Sequence, residues 1–288
     1  MPFFMEQYFI YNGQLFPADS QILTPASRAF RFGESLFETI RLEKRSLHLF
    51  QFHLDRLFDG MKILGFECPT AFNREFLTES ILRLADVNGI ANYGRVRLTI
   101  SKGETSMNSS NPSKPDWIIE CNTLPEHYLG FNESGYSIDI DDTNTKGSGP
   151  LSNLKSGNYL LYILAAQRAK ELQVNECLVL NSAGRIADSS IFNIFLIRNK
   201  VLYTPSLLES PVAGVMRRFL INYFHQSGHP VMETAIKVSD LEQADELFLT
   251  NALYGIRWVH SFRSSNYGNH ISRQIYHELF EQKLYQVV

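Results

Sequence analysis

The chain has 288 residues, 44% of them apolar and 20% charged, with a formal net charge of −3. This length suggests roughly two domains, and about 75% of the unfolded chain's surface can be buried, so the core needs no staples. The weak negative charge and the absence of a long basic run argue against a nucleic-acid or membrane-surface partner, and no apolar run reaches membrane-spanning length.

From the N-terminus, Met1-Pro2-Phe3-Phe4-Met5-Glu6 has no basic region and meets an acid too early for a signal peptide. Asn12-Gly13 between apolar runs at 8–11 and 14–16 signals a hairpin. Helices are expected near 49–64, where Leu54, Leu57, Phe58, Met61 and Leu64 recur at helical spacing, and near 71–87, stopped by Asn88-Gly89. Strands are expected at 94–101 and 116–122. The Ser-, Asn- and Pro-rich segment 103–115 between them reads as a flexible loop with the composition of a lid. A proline and polar residues interrupt the periodicity at 123–133, which is the expected crossing from an α+β domain at 1–122 to an α/β domain at 134–288. The second domain alternates strands with helices near 157–171, 214–227 and 271–283. Cys68, Cys121 and Cys177 are odd in number, far apart and without metal spacing, so they read as buried thiols of a reducing, cytoplasmic compartment. The eight histidines show no ligand clustering, His53 reads as an ordinary helix residue, and no metal site is expected.

Five segments carry chemistry. Leu151-Ser152-Asn153-Leu154-Lys155-Ser156-Gly157-Asn158-Tyr159 places one lysine among small, polar and apolar residues. Lysines are mostly solvated surface charges. One with apolar neighbours and few carboxylates beside it loses its proton more easily and can attack a carbonyl. Gly184-Arg185-Ile186-Ala187-Asp188 brings a carboxylate to the edge of a sheet. Pro211-Val212-Ala213-Gly214-Val215-Met216-Arg217 opens a helix whose first N–H groups can hold a phosphate. In His53-Leu54-Asp55-Arg56-Leu57, Arg56 lies off the apolar stripe and can reach an anion, and Ala244–Ala252 reads as a strand ending in Thr250 and Asn251.

Together with Arg28-Ala29-Phe30-Arg31-Phe32-Gly33-Glu34-Ser35-Leu36-Phe37-Glu38-Thr39, these segments resemble, in order, the class IV (fold type IV) pyridoxal-phosphate enzymes. That family includes branched-chain and D-amino-acid aminotransferases and aminodeoxychorismate lyase. The resemblance implies that Lys155 is the Schiff-base lysine and proton shuttle. It makes Asp188 the partner that keeps the cofactor's pyridine nitrogen protonated, and Arg56 a planar fork on the phosphate. Gly214, Val215 and Met216 become the phosphate-binding helix start, and Thr250 and Asn251 the last cofactor-contacting turn. It also implies pyridoxal 5'-phosphate as cofactor, a small amino compound as substrate and a homodimer with apolar interface from the aromatic-rich N-terminal half.

Three positions depart from the family pattern. Asp188 stands where most members have glutamate, shortening the side chain by roughly 1.5 Å, so the backbone must move inward or a water must bridge. Met216 replaces a threonine and removes a hydroxyl donor, while Glu34 replaces an aspartate and keeps its charge. Phe37-Glu38-Thr39 and Thr250-Asn251-Ala252 look more like the lyase than like branched-chain enzymes, which tend to have Phe-Glu-Gly and Ser-Gly-Thr-Ala there. The expected reaction is therefore release of pyruvate from 4-amino-4-deoxychorismate to form 4-aminobenzoate. Branched-chain or D-amino-acid transamination, or a cofactor-binding protein with impaired turnover, are the alternatives. Thr39, otherwise a plain β-former, and Arg97, which shares a strand face with Arg95, are further substrate candidates.

Overall fold

The computed structural model describes residues 7–70, 72–103 and 114–281. The chain divides into two compact units. One holds the residues up to Tyr128 together with Lys155–Asn158, and the other holds Leu129–Leu154 and the residues from Tyr159 onward. The division differs from the expected domains at Lys155, which groups with the N-terminal unit because its backbone is hydrogen-bonded along a strand there. Of the expected lid segment, 104–113 lies outside the described residues.

In the first unit, β1 (Tyr8–Tyr11) and β2 (Gln14–Pro17) form the expected hairpin. Asn12 and Gly13 take φ of 48° and 88°, as a two-residue turn matching the strand twist requires. They are followed by α1 (Arg28–Phe32), β3 (Ser35–Glu43), β4 (Ser46–Leu47), α2 (Phe50–Leu64), α3 (Arg74–Val87), β5 (Tyr93–Lys102) and β6 (Pro115–Thr123). The strands make one antiparallel sheet in the order β2-β1-β6-β5-β3-β4, with α2 against β3 and α3 against β1 and β6. Leu36, Ile40 and Leu42 on β3 and Leu54, Leu57 and Met61 on α2 are buried in this core, so the helical stripe read from the sequence faces the sheet. Asn73 caps α3 by accepting from the Phe76 N–H at 2.9 Å. Buried Asn88, just past its end, bonds to both main-chain groups of Tyr8 and to the Cys121 carbonyl, tying the helix terminus to two strands. Cys121 and Cys177 are buried, but Cys68 is exposed, contrary to the expectation for all three. It follows α2 in a stretch without regular structure, beyond the cover of sheet or helix.

The second unit contains β7 (Tyr136–Lys146), α4 (Leu160–Glu171), β8 (Glu176–Asn181), β9 (Ile186–Ser189), β10 (Asn193–Arg198), β11 (Val201–Pro205) and α5 (Val215–Gln226). It continues with β12 (Val231–Thr234), α6 (Val238–Glu242), β13 (Glu246–Asn251), β14 (Gly255–Phe262), β15 (Ser265–Asn266) and α7 (His270–Tyr276), which is followed by a π turn at His277–Glu281. The sheet order is β12-β11-β10-β13-β14-β7-β8-β9, with β15 paired to β14. The β11–β12, β14–β7 and β7–β8 pairs are parallel. Ile140, Leu178, Ile194, Leu247, Leu249 and Val259 are central to its core. Such near-continuous apolar strands are what a sheet covered by helices demands. Asp188 lies on β9, the edge strand, and Gly214 is the N-cap of α5.

Candidate active site

In the first unit, the segment around Lys155 runs antiparallel beside the start of β3. Phe37 donates its N–H to the Lys155 carbonyl at 3.0 Å and Gly157 donates to Ser35 O at 2.8 Å, with Leu36 opposite Ser156. This pairing puts Lys155 opposite Phe37, so the two side chains leave the sheet on the same face. Lys155 Nζ lies 4.5 Å from the centroid of the Phe37 ring. Arg97 Cζ lies 4.0 Å from the same centroid, and Arg97 stands opposite Thr39 across β3 and β5. The structure thus gathers Lys155, Thr39 and Arg97 around one aromatic face. Arg97 Nε also donates to Thr99 Oγ1 at 3.2 Å, and its guanidinium is half-buried.

Glu38, the next residue along β3, points to the opposite face and meets α2. Arg56 Nε donates to Glu38 Oε1 at 2.8 Å, a second Arg56 nitrogen donates to Oε2, and His53 Nδ1 lies 2.6 Å from Oε2. Burial raises the carboxyl of Glu38, but the Arg56 guanidinium and then His53 more than offset it, bringing it down to about 2. Burial also holds His53 below its usual range despite the attraction of Glu38, and the Arg56 and Lys155 charges push it the same way. The expected anion-binding Arg56 is therefore a guanidinium aimed by Glu38, and His53 is part of that cluster rather than an ordinary helix residue. The signal was present in the spacing: His53 and Arg56 stand three apart on a helix and so share a side.

In the second unit, Asp188 is buried and its two oxygens have different surroundings. Oδ2 accepts from Lys146 Nζ at 3.1 Å, from Tyr162 Oη at 3.0 Å and from the Val212 N–H at 2.8 Å. Oδ1 is buried and has no hydrogen-bond partner among the described residues. Lys146 additionally donates to Tyr162. Burial lowers the Lys146 ammonium while Asp188 opposes it, and burial followed by the Asp188 charge pushes the Tyr162 hydroxyl well above its usual range. Sequence reading missed Lys146 and Tyr162, which are 42 and 26 residues from Asp188 and carry no shared spacing.

The helix start also has the expected character. Gly214 caps α5 without any side-chain hydrogen bond, and a Cβ at this position would fall 1.8 Å from Asn193 Oδ1, so any larger residue must displace the Asn193 amide. Met216 turns its side chain into the core, leaving its backbone N–H as the group available to an anion. Val215 is buried in the same way. Thr250 Oγ1 donates to Gly255 O at 2.9 Å, and Asn251 Oδ1 accepts from Leu253 N and Tyr254 N at 3.0 and 2.8 Å. Those two side chains brace their own turn, and Asn251 Nδ2 also donates to Ile191 O at 3.4 Å.

In the second unit an uncapped helix N-terminus and a buried carboxylate oxygen without a partner among the described residues suit the phosphate and the ring nitrogen of a phosphorylated pyridinium aldehyde, and in the first unit a lysine over an aromatic ring suits its carbonyl. A cavity of about 510 Å³ beside β1 and β6, lined among others by Tyr8, Ile22, Leu23 and Glu120, contains none of these residues. Among the described residues no group of three His, Cys, Asp or Glu side chains is placed to hold a metal ion. None of their helices is long and apolar enough to cross a membrane.

Residues 35–262 match the family model described as amino-transferase class IV. The chain belongs to that family. It is a pyridoxal-phosphate-dependent enzyme, as class IV members are, and has their fold type IV architecture. An aminodeoxychorismate lyase of Bacillus subtilis is 29% identical over 262 residues, covering 90% of this chain and 87% of its own. A branched-chain aminotransferase from Thermoproteus uzoniensis, solved with norvaline, superposes with a TM-score of 0.87 at 21% identity, covering 97% of this chain and 95% of its own. A branched-chain amino acid aminotransferase of Escherichia coli superposes with a TM-score of 0.83 at 23% identity, over 96% and 94% of the two chains.

Proposed function

We propose that this enzyme is a 4-amino-4-deoxychorismate lyase, splitting its substrate into 4-aminobenzoate and pyruvate. The observation that carries the reading is the grouping of Lys155, Thr39 and Arg97 around the Phe37 ring. A dicarboxylate cyclohexadiene needs a flat apolar surface, a cation for a carboxylate and a base close by, and Phe37, Arg97 and Lys155 supply one each. The lyase relative from Bacillus subtilis supports the same choice.

In this reading Lys155 anchors pyridoxal phosphate covalently through Nζ. The family resemblance gives the phosphate to Arg56, held in one orientation by Glu38 in the first unit, and to the helix start at Gly214, Val215 and Met216 in the second, where the Gly214 N–H is bonded to Val212 O at 2.8 Å and those of Val215 and Met216 would serve the anion. Asp188 Oδ1 would accept a hydrogen bond from the protonated ring nitrogen and keep its proton there, and Thr250 and Asn251 would line the cofactor through their turn. The bound cofactor supplies an electron sink. Once the substrate amine had taken its place on the cofactor, the freed Lys155 Nζ would take the proton from the substrate carbon that bears the amine, the bond to the enolpyruvyl oxygen would break to leave an aromatic ring, and a proton returned to the departing enol would give pyruvate. Arg97 and Thr39 hold the substrate.

The reading also assigns a homodimer in the cytoplasm. Support for a partner subunit comes from Leu160, Ile163 and Leu164, which form one exposed apolar side of α4, and from exposed Phe30. The test incubates cofactor-loaded protein with 4-amino-4-deoxychorismate, and separately with a panel of L- and D-amino acids and a keto-acid acceptor. Stoichiometric 4-aminobenzoate and pyruvate are expected, together with loss of borohydride-trapped cofactor in Lys155→Ala. Rapid amino transfer without 4-aminobenzoate would make the chain an aminotransferase instead.

A further inference from the structure

Three donors converge on one oxygen of Asp188, and one of them is a charged lysine. A carboxylate that only needed orienting could be held by the Tyr162 hydroxyl and the Val212 N–H, which lie 3.0 and 2.8 Å away. Lys146 adds a buried positive charge 3.1 Å from Oδ2, with its side chain 8% exposed and that of Asp188 3% exposed. Burying an ammonium is costly unless an anion compensates it, so Lys146 and Asp188 form a neutral pair before any ligand arrives. Oδ1 is the remaining acceptor, buried and without a partner among the described residues.

We propose that Lys146 shares Asp188 with the cofactor's ring nitrogen and thereby lowers the proton affinity of that nitrogen. The inference rests on the reading in which Asp188 is the ring partner. The physical basis is competition: one carboxylate faces two cations, so each weakens the hold of the carboxylate on the other, and in a low-dielectric site that effect is large. Lys146 then acts as a positioning and tuning residue. It sets how strongly the ring nitrogen keeps its proton and therefore how deep an electron sink the enzyme offers. The titratable groups facing Lys146 are Asp188 from β9 and Tyr162 from α4, with Tyr159 of the preceding turn beside Tyr162. Tyr162 remains a neutral donor throughout, because burial and the Asp188 charge both oppose its ionisation.

The experiment uses full-length protein loaded with pyridoxal phosphate carrying ¹⁵N in the ring, and follows the ring-nitrogen chemical shift with pH in wild type, Lys146→Met and Lys146→Arg. Lys146→Met should keep the ring nitrogen protonated to a pH at least one unit higher than wild type, about a tenfold change in proton affinity. Lys146→Arg, which restores the cation, should return the midpoint toward the wild-type value. A second readout is the rise in Tm on cofactor binding. It should be larger in Lys146→Met, whose apoprotein carries an uncompensated carboxylate until the ring cation arrives, whereas a purely structural lysine would lower apo and holo stability alike. Lys146→Gln, which keeps a donor but not the charge, serves if the methionine variant does not fold. Identical midpoints in wild type and the uncharged variants would overturn the inference while leaving the lyase reading in place. A ring nitrogen unprotonated in both loaded wild type and loaded Lys146→Met would also overturn it. A wild-type chain that takes up no cofactor would remove both readings together.

Discussion

Glu38 in the first unit and Asp188 in the second are both buried carboxylates facing a basic side chain, yet their coordination is completed in different ways. Glu38 uses both oxygens within the protein, one on Arg56 Nε and the other on Arg56 and His53. Asp188 concentrates its donors on Oδ2 and leaves Oδ1 buried and unpartnered among the described residues. Although His53 Nε2 is buried without a hydrogen-bond partner among the described residues, a carboxylate satisfied on both oxygens, as that of Glu38 is, fixes the guanidinium of Arg56. A half-satisfied one carries a desolvation cost of about 1–3 kcal/mol that only a further donor relieves, which is the condition a ligand site meets. The contrast separates a residue that aims another from a residue that binds.

The largest expected effect breaks the closed cluster. Glu38→Ala removes the Glu38 carboxylate from the Arg56 guanidinium, with only 12% of that side chain exposed, and from His53 Nδ1. Removing one partner of a buried pair costs about 3–5 kcal/mol, read as a lower urea midpoint with an unchanged m-value. A loss below about 1 kcal/mol would mean that water reaches Arg56 freely and that the cluster is not closed.

The same cluster predicts an acid limb of somewhat smaller size. The Glu38 carboxyl is depressed from 4.5 to about 2 in the folded chain. Its contribution is therefore fully present above pH 4.5 and is lost as pH falls toward 2, where the unfolded state binds the extra proton. A shift of 4.5 − 2 = 2.5 units corresponds to roughly 3 kcal/mol. His53, also held below its usual range, loses stability in the same direction, starting as pH falls through 6.5. Urea midpoints measured from pH 7 to pH 3 should fall steeply in the parent, and the steepest part, below pH 4.5, should flatten in Glu38→Gln. A parent curve flat to pH 3 would remove the assigned charge state of Glu38.

How much of this was legible in the sequence depended on whether the signal was local. The Asn12-Gly13 hairpin, α2, α3 and the glycine at the start of α5 follow from residues within one turn of each other. The five motifs around Lys155, Arg56, Asp188, Gly214 and Thr250 identified the family in order. What stayed hidden was tertiary: nothing near Asp188 announces Lys146, 42 residues earlier in another strand. Nothing near Arg56 announces that its partner is Glu38, 18 residues away. The five-residue α6 is too short to show a period. The family resemblance makes Thr250 and Asn251 the last cofactor-contacting turn, while the turn-closing bonds of their side chains, to Gly255 O and from Leu253 N and Tyr254 N, are a local detail the motif does not carry.

The smallest predicted effect sharpens the open cluster without touching its charges. In Gly214→Ala the new Cβ would lie 1.8 Å from Asn193 Oδ1, so Asn193 must move. Asn193 is buried, and its Nδ2 donates to the Val212 carbonyl at 2.9 Å. The Val212 N–H in turn donates to Asp188 Oδ2 at 2.8 Å. The displacement therefore loosens one of the three donors that aim Asp188 while Lys146 and Tyr162 stay in place. Overpacking of this kind costs about 1–3 kcal/mol, and the variant should fall at the lower end because a single amide can rotate. Its acid limb should match the parent's, since Glu38, His53 and Arg56 are untouched. Equal urea midpoints for parent and variant at neutral pH would show that Asn193 swings away at no cost and that the Val212 turn is held by something other than its bond to Asn193.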